Sequence, residues 1–88
     1  MSFRVVWEQD ALEALEKLDS GVAQRILIRI NWLASNFENI KPQALSGVLK
    51  GYFKFRIGNY RVIYSLDHKE KELVIELLGH RRAIYKLP

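Results

Sequence analysis

The 88-residue sequence contains no cysteine, only two prolines and only two histidines. Without cysteine, the chain can form neither disulfide bonds nor a thiolate zinc site. No apolar run approaches the roughly 20 residues that a transmembrane helix requires, and the segment Met1-Ser2-Phe3-Arg4 lacks the apolar region of a signal peptide. The sequence also has no glycine-rich phosphate loop and no nucleophile elbow. These absences predict a soluble protein of the reducing cytoplasm, without a membrane partner.

The composition is that of an ordinary globular domain. Hydrophobic residues make up 49% of the chain and charged residues 27%, which excludes intrinsic disorder. A chain of this length has room for one hydrophobic core but not for two. We therefore expect residues 1–88 to form a single domain.

Positive charge is concentrated in the second half of the chain. Residues 1–49 carry five basic and six acidic side chains, a net charge of −1, whereas residues 50–88 carry nine and four, a net charge of +5. Such asymmetry is typical of proteins that bind a polyanion, most simply a nucleic acid. A basic surface that is merely solvated explains the charge alone equally well.

The first half predicts a strand followed by a helical hairpin. Residues 3–7 are rich in β-prone side chains. Asp10 and Glu13 resemble a capping box at the start of a first helix, and Asp19-Ser20-Gly21 ends that helix. Apolar residues from Val22 to Phe37, at intervals of three and four, then predict a second helix, for which Asn36 and Pro42 are stop signals.

The second half predicts three consecutive antiparallel strands. Strict alternation over residues 52–57 is followed by the turn Gly58-Asn59 and a return strand over residues 60–64. A polar loop over residues 67–72 leads to an apolar strand over residues 73–78. This strand is expected to end before Gly79. The predicted fold is α+β, with the order β-α-α-β-β-β and two helices on one face of a largely antiparallel sheet.

The alternation also predicts a basic surface on the face opposite the helices. If the apolar residues of the first hairpin strand face the helices, then Tyr52, Lys54 and Arg56 face away from them. Arg61 and Arg81 can join the same surface. Since cations hold phosphates and aromatic rings stack on bases, such a surface suits single-stranded or distorted RNA.

Three motifs occur in an order that resembles the RelE/ParE toxin superfamily. The resemblance covers essentially the whole chain, and it is specific because the second and third motifs occur together. It implies a RelE-like, microbial-ribonuclease-type fold for residues 1–88. The three motifs are Leu45-Ser46-Gly47, the segment from Tyr52 to Tyr64 that contains Arg-Ile-Gly-Asn-Tyr-Arg-Val-Ile-Tyr, and Gly79-His80-Arg81-Arg82-Ala83-Ile84-Tyr85.

The resemblance implies a toxin that cuts messenger RNA in the ribosomal A site and so inhibits translation. Toxins of the RelE branch are metal-independent endoribonucleases without cofactors, in which a 2′-hydroxyl attacks the adjacent phosphate. By position, Lys54 matches a lysine that binds phosphate or abstracts a proton, and Arg61 matches an arginine that stabilises the transition state. Arg81 matches the position associated with protonating the leaving 5′-oxygen, and Tyr85 a tyrosine that stacks on a base. Further side chains are expected to bind RNA: Lys50, Tyr52, Arg56, Arg82 and Lys86.

The resemblance leaves the identity of the general base open. RelE enzymes have a second lysine two residues before the position of Lys54, and this sequence has Tyr52 there. Lys50, His80 or Lys54 itself can take the role. Histidine is the side chain whose ordinary pKa lies nearest neutrality, which makes His80 a candidate, but a structural histidine that fixes the turn at Gly79 is somewhat favoured. Most of the acidic residues lie on the first helix (Asp10, Glu13 and Glu16) or in the polar loop (Asp67, Glu70 and Glu72), which does not favour a metal site.

The resemblance also implies an antitoxin partner. A RelB-like antitoxin is expected to neutralise the toxin, and the complex is expected to bind its own operator DNA through the antitoxin. Ile28 and Trp32 lie outside the core stripe of the second helix and either dock the antitoxin or are covered by the first helix. Two alternatives stay open: a ParE-like toxin that inhibits DNA gyrase, and a non-catalytic RNA-binding or repressor module.

Overall fold

The computed structural model describes residues 3–80, which form a five-stranded sheet and two α-helices. The strands are β1 (Arg4–Trp7), β2 (Gln43–Ala44), β3 (Phe53–Ile57), β4 (Tyr60–Asp67) and β5 (Glu72–His80). The helices are α1 (Gln9–Glu16) and α2 (Ser20–Ser35), and short 3-10 turns cover Phe37–Asn39 and Gly47–Leu49. No helix within residues 3–80 combines the length and the apolar character that crossing a membrane requires.

The strands follow the order β1-β5-β4-β3-β2 across the sheet. β1 pairs with β5 in parallel, and the other three pairings are antiparallel. This arrangement confirms the predicted α+β class and the largely antiparallel sheet. The sequence did not predict β2, because two residues after Pro42 are too few to show an alternating pattern. β5 is longer than predicted and includes Gly79 and His80.

Both helices begin earlier than the sequence predicted. Glu8 occupies the N-cap position of α1 without a side-chain hydrogen bond, and Asp10 lies in the first turn. The predicted capping box of Asp10 and Glu13 is therefore wrong, although Asp10 still lies near the positive end of the helix dipole. Asp19 is the N-cap residue of α2, which starts two residues before Val22. Its C-cap is Asn36, as the predicted stop signal indicated.

The hydrophobic core lies between the helices and one face of the sheet. Phe53 stacks on Tyr64 with ring centroids 5.5 Å apart, Ile57 is buried, and Phe55 packs against the core. The predicted orientation of β3 is thus confirmed. Burying each large apolar side chain contributes about 1.5–3 kcal/mol to folding. The largest fully buried side chains come from α2, β4 and β5: Ile26, Ile30, Leu33, Val62, Tyr64, Leu73 and Ile75.

Candidate nucleic-acid interface

The sheet face opposite α1 and α2, here called the open face, carries the predicted basic residues. Cross-strand pairing places Lys54 opposite Ile63 and Arg56 opposite Arg61. Paired residues point to the same side of a sheet, and Phe53 and Ile57 point to the helices. Lys54, Arg56 and Arg61 therefore share the open face, as the alternation predicted.

Arg56 and Arg61 form a like-charged pair across two neighbouring strands. Like charges directly opposite each other destabilise a sheet by a few tenths of a kcal/mol up to about 1 kcal/mol. Arg61 is nevertheless only 8% exposed, and Gly79 is its partner on β5. The pair is well suited to hold an anion, which favours binding of a phosphate at this end of the open face.

A cleft of about 320 Å³ adjoins the edge of the sheet beside β3. Its lining residues within the described chain include four cations and no acid. The Arg29 guanidinium lies 4.7 Å from the ring centroid of Trp32 and 5.6 Å from that of Phe55, within cation–π range. Lys54 and Arg56 contribute to the same cleft. The cleft thus combines positive charge with aromatic surface next to the open face.

A second depression, of about 280 Å³, lies on the open face itself. Tyr52, Ile63, Glu76 and Leu77 line it, together with two residues of the Gly47–Leu49 turn. Ile63 is only 2% exposed although it points away from the helices. The turn therefore covers part of the open face, and this makes the face concave rather than flat.

Glu76 is a candidate site residue that sequence reasoning missed. β5 has a bulge at this position, because Ile63 pairs with Leu77 while Tyr64 pairs with Ile75. Glu76 is half-buried, and its Oε2 accepts a hydrogen bond of 2.7 Å from Ser65 Oγ. The signal in the sequence was a single carboxylate inside the apolar run of β5.

His80 lies on the other face of the sheet. It pairs with Tyr60, which in turn pairs with Ile57 on the helix side. Its ring meets the Tyr60 ring edge-on at a centroid distance of 5.7 Å. Since Arg61 points to the open face, this geometry favours the structural role for His80 over that of general base. Lys50 is exposed beside the Gly47–Leu49 turn.

Four predicted site residues, Arg81, Arg82, Tyr85 and Lys86, lie outside the described residues. Their roles stay predictions. Within residues 3–80, no group of three or more histidine and acidic side chains is placed to hold a metal ion.

The two residues predicted to contact an antitoxin are exposed. Ile28 is 60% and Trp32 is 40% exposed on α2. The alternative that α1 covers them is therefore wrong. Leu27 on α2 and Leu12 on α1 are also more than one-third exposed. Together they make part of the helical surface apolar and accessible.

A protein-family comparison identifies the chain. Residues 5–85 match the model of the ParE toxin of type II toxin–antitoxin systems. The chain belongs to this toxin family. This confirms the resemblance to the RelE/ParE superfamily and makes the chain a toxin of a type II toxin–antitoxin system. No curated protein matches the chain in sequence.

Solved structures of RelE toxins share the fold of this family member. The toxin–antitoxin complex RelBE2 from Mycobacterium tuberculosis matches at 24% identity with a TM-score of 0.78, over 92% of this chain and 100% of that one. The archaeal RelE–RelB complex from Pyrococcus horikoshii matches at 28% identity and a TM-score of 0.67, over 92% and 97%. A free E. coli RelE mutant matches at 19% identity and a TM-score of 0.76, over 94% and 87%.

Proposed function

We propose that this toxin is a ribosome-dependent endoribonuclease that cuts messenger RNA in the A site. The observation that carries the proposal is the buried Arg61 beside Arg56 on a concave open face. Two guanidinium groups on neighbouring strands can donate several hydrogen bonds to one phosphate. A toxin that holds a scissile phosphate benefits from such a pair, because the transition state carries extra negative charge.

The proposed reaction is metal-independent attack by the 2′-hydroxyl of the RNA on the adjacent phosphorus. The bond from phosphorus to the 5′-oxygen breaks, leaving a 2′,3′-cyclic phosphate and a 5′-hydroxyl. Lys54 binds the phosphate, Arg61 stabilises the charge of the transition state, and Arg81 assists protonation of the leaving 5′-oxygen by water. Tyr85 stacks on a base. The flanking RNA is held by the remaining basic and aromatic residues: Lys50, Tyr52, Arg56, Arg82 and Lys86.

A RelB-like antitoxin is proposed to neutralise this activity. RelB accompanies RelE in several of the matching structures, including those from M. tuberculosis and P. horikoshii. On this chain, the exposed Ile28 and Trp32 offer an apolar contact for an antitoxin helix. The cationic cleft beside Trp32 suits an acidic segment of the same partner. The complex is proposed to bind its operator DNA through the antitoxin.

A gyrase-inhibiting toxin is the second candidate, since the matching family model is that of the ParE toxin. The two candidates predict different effects in a cell-free translation extract. The nuclease stops protein synthesis and leaves messenger RNA cut within the A-site codon, which primer extension detects. A gyrase inhibitor leaves the messenger intact and instead blocks supercoiling of relaxed plasmid by purified gyrase. Intact messenger together with blocked supercoiling would refute the nuclease proposal.

A further inference from the structure

The position of Glu76 is unusual for a glutamate in a small sheet. β5 reads Glu-Leu-Val-Ile-Glu-Leu-Leu-Gly-His, so Glu76 interrupts an apolar run in the middle of the strand. The bulge leaves Glu76 without a partner in the cross-strand register and places it beside Leu77 on the open face. Bulges commonly redirect a side chain next to an active site. Here the bulge directs a carboxylate into the depression of the open face.

The Glu76 carboxylate is oriented by a hydrogen bond to one of its two oxygens. Ser65 Oγ donates a 2.7 Å hydrogen bond to Glu76 Oε2, which fixes the orientation of the side chain. No described hydrogen bond or ion pair involves Oε1. The walls of the depression are largely apolar, formed by Ile63 and Leu77 together with the Gly47–Leu49 turn. A carboxylate fixed in this way can accept a proton from a substrate hydroxyl that enters the depression.

The depression lies beside the phosphate-binding arginines. Gly79, which pairs with Arg61, is three residues from Glu76 along β5, or about 10 Å. Ile63, which lines the depression, is two residues from Arg61 along β4, or about 7 Å. An RNA whose phosphate contacts Arg61 would therefore extend its neighbouring ribose over the depression.

Other carboxylates on the open face are engaged elsewhere. Glu72 forms an ion pair with Arg4 at the β1 side of the sheet. Asp67 Oδ1 accepts a hydrogen bond of 2.9 Å from the backbone N–H of Glu70 in the hairpin loop. Within residues 3–80, the charged or titratable side chains that share the open face with Glu76 are Arg4, Tyr52, Lys54, Arg56, Arg61, Asp67 and Glu72.

We propose that Glu76 is the general base of the cleavage reaction, an inference that rests on the proposed nuclease function. The carboxylate takes the proton of the 2′-hydroxyl as the 2′-oxygen forms its bond to phosphorus. The bond from phosphorus to the 5′-oxygen breaks, and the leaving oxygen takes a proton from water. Glu76 then returns its proton to water, so no metal or redox partner is consumed. This chain thus supplies a carboxylate for the base, where its sequence has Tyr52 in place of a lysine.

The test compares Glu76→Gln with Glu70→Gln, which removes the same charge from an exposed loop position. Single-turnover cleavage of messenger on stalled ribosomes is measured, together with toxin binding to the same ribosomes. We expect Glu76→Gln to cut at least 100-fold more slowly while binding within about twofold of wild type, because general-base catalysis contributes about 10²–10⁴-fold. Glu70→Gln should cut at the wild-type rate. Cleavage by Glu76→Gln within threefold of wild type would overturn the proposal.

The pH–rate profile distinguishes a base from a structural carboxylate. The wild-type rate should rise with pH along an acidic limb, and Glu76→Gln should lose that limb. Should Glu76→Gln fail to fold, Ser65→Ala provides a second test. It removes the hydrogen bond that orients the carboxylate, so cleavage should slow at least tenfold while ribosome binding stays unchanged; cleavage at the wild-type rate would overturn the proposal.

A wild-type protein that does not cut refutes the nuclease function itself. Loss of cutting in Arg61→Met with normal cutting in Glu76→Gln refutes only the base.

Discussion

Replacing Arg61 by methionine is the most informative single change, because cleavage should fall steeply while stability changes little. Methionine keeps an unbranched apolar stem in the site that Arg61 now fills at 8% exposure. It also removes the like-charge contact with Arg56 across the strands. Relief of that contact is worth roughly 0.2–1 kcal/mol. We therefore expect the free energy of unfolding of Arg61→Met to lie within about 1 kcal/mol of the wild-type value.

Cleavage should respond far more strongly. Removing one group that stabilises transition-state charge in an excluded site costs about 10²–10³ in rate, or about 2.7–4 kcal/mol. The assay is single-turnover cleavage of a messenger on stalled ribosomes, with urea unfolding of the same preparations. Arg25→Met is the matched control, because it makes the same change at an exposed position of α2. It should cut at the wild-type rate.

An opposite outcome would identify Arg61 as a structural residue. Breaking a buried structural ion pair costs about 3–5 kcal/mol of stability. If Arg61→Met loses that much stability while its folded fraction cuts within tenfold of wild type, the assignment of Arg61 to the transition state is refuted.

Three further predictions address the core, the partner and a base-stacking residue. Burial raises the pKa of Tyr64 from 10.0 to about 12. The stability that the neutral Tyr64 contributes to the fold is therefore complete below pH 10 and is lost as pH rises to 12. The free energy of unfolding should fall by at most about 2.7 kcal/mol over this range. In urea titrations, Tyr64→Phe should not show this fall, whereas Tyr60→Phe should still show it. Trp32→Ala should weaken antitoxin binding at least tenfold by calorimetry with the fold intact, and unchanged affinity would contradict the docking surface. Tyr85→Ala should cut about 10- to 100-fold more slowly, because a stacked base contributes about 1–3 kcal/mol. Tyr85→Phe should retain most activity, and an equal loss in both variants would assign the role to the hydroxyl.

Local patterns predicted most of the fold. The alternation in β3 and the apolar spacing in α2 each report which side of one element is buried, and this information is contained in neighbouring residues. They correctly placed Lys54 and Arg56 on the face opposite the helices. The capping box at Asp10 failed, because Glu8 and not Asp10 is the last residue before α1. A cap depends on where the chain enters the helix, and the preceding strand β1 decides that position.

The sequence by itself determined the class of the fold and the basic face, because both depend on residue order and periodicity, and its motifs resembled those of the toxin family. Only the tertiary structure decided which charged residues meet. The pairing of β3 with β4 places Arg56 beside Arg61. The pairing of β4 with β5 places His80 on the helix side, and the bulge in β5 directs Glu76 onto the open face. A shift of one residue in pairing exchanges the two faces of a strand, and the position of a bulge is not encoded by alternation alone. In the sequence, the candidate base Glu76 was therefore visible only as an acidic residue in an apolar strand. Its position beside Arg56 and Arg61 depends on how β3, β4 and β5 pair.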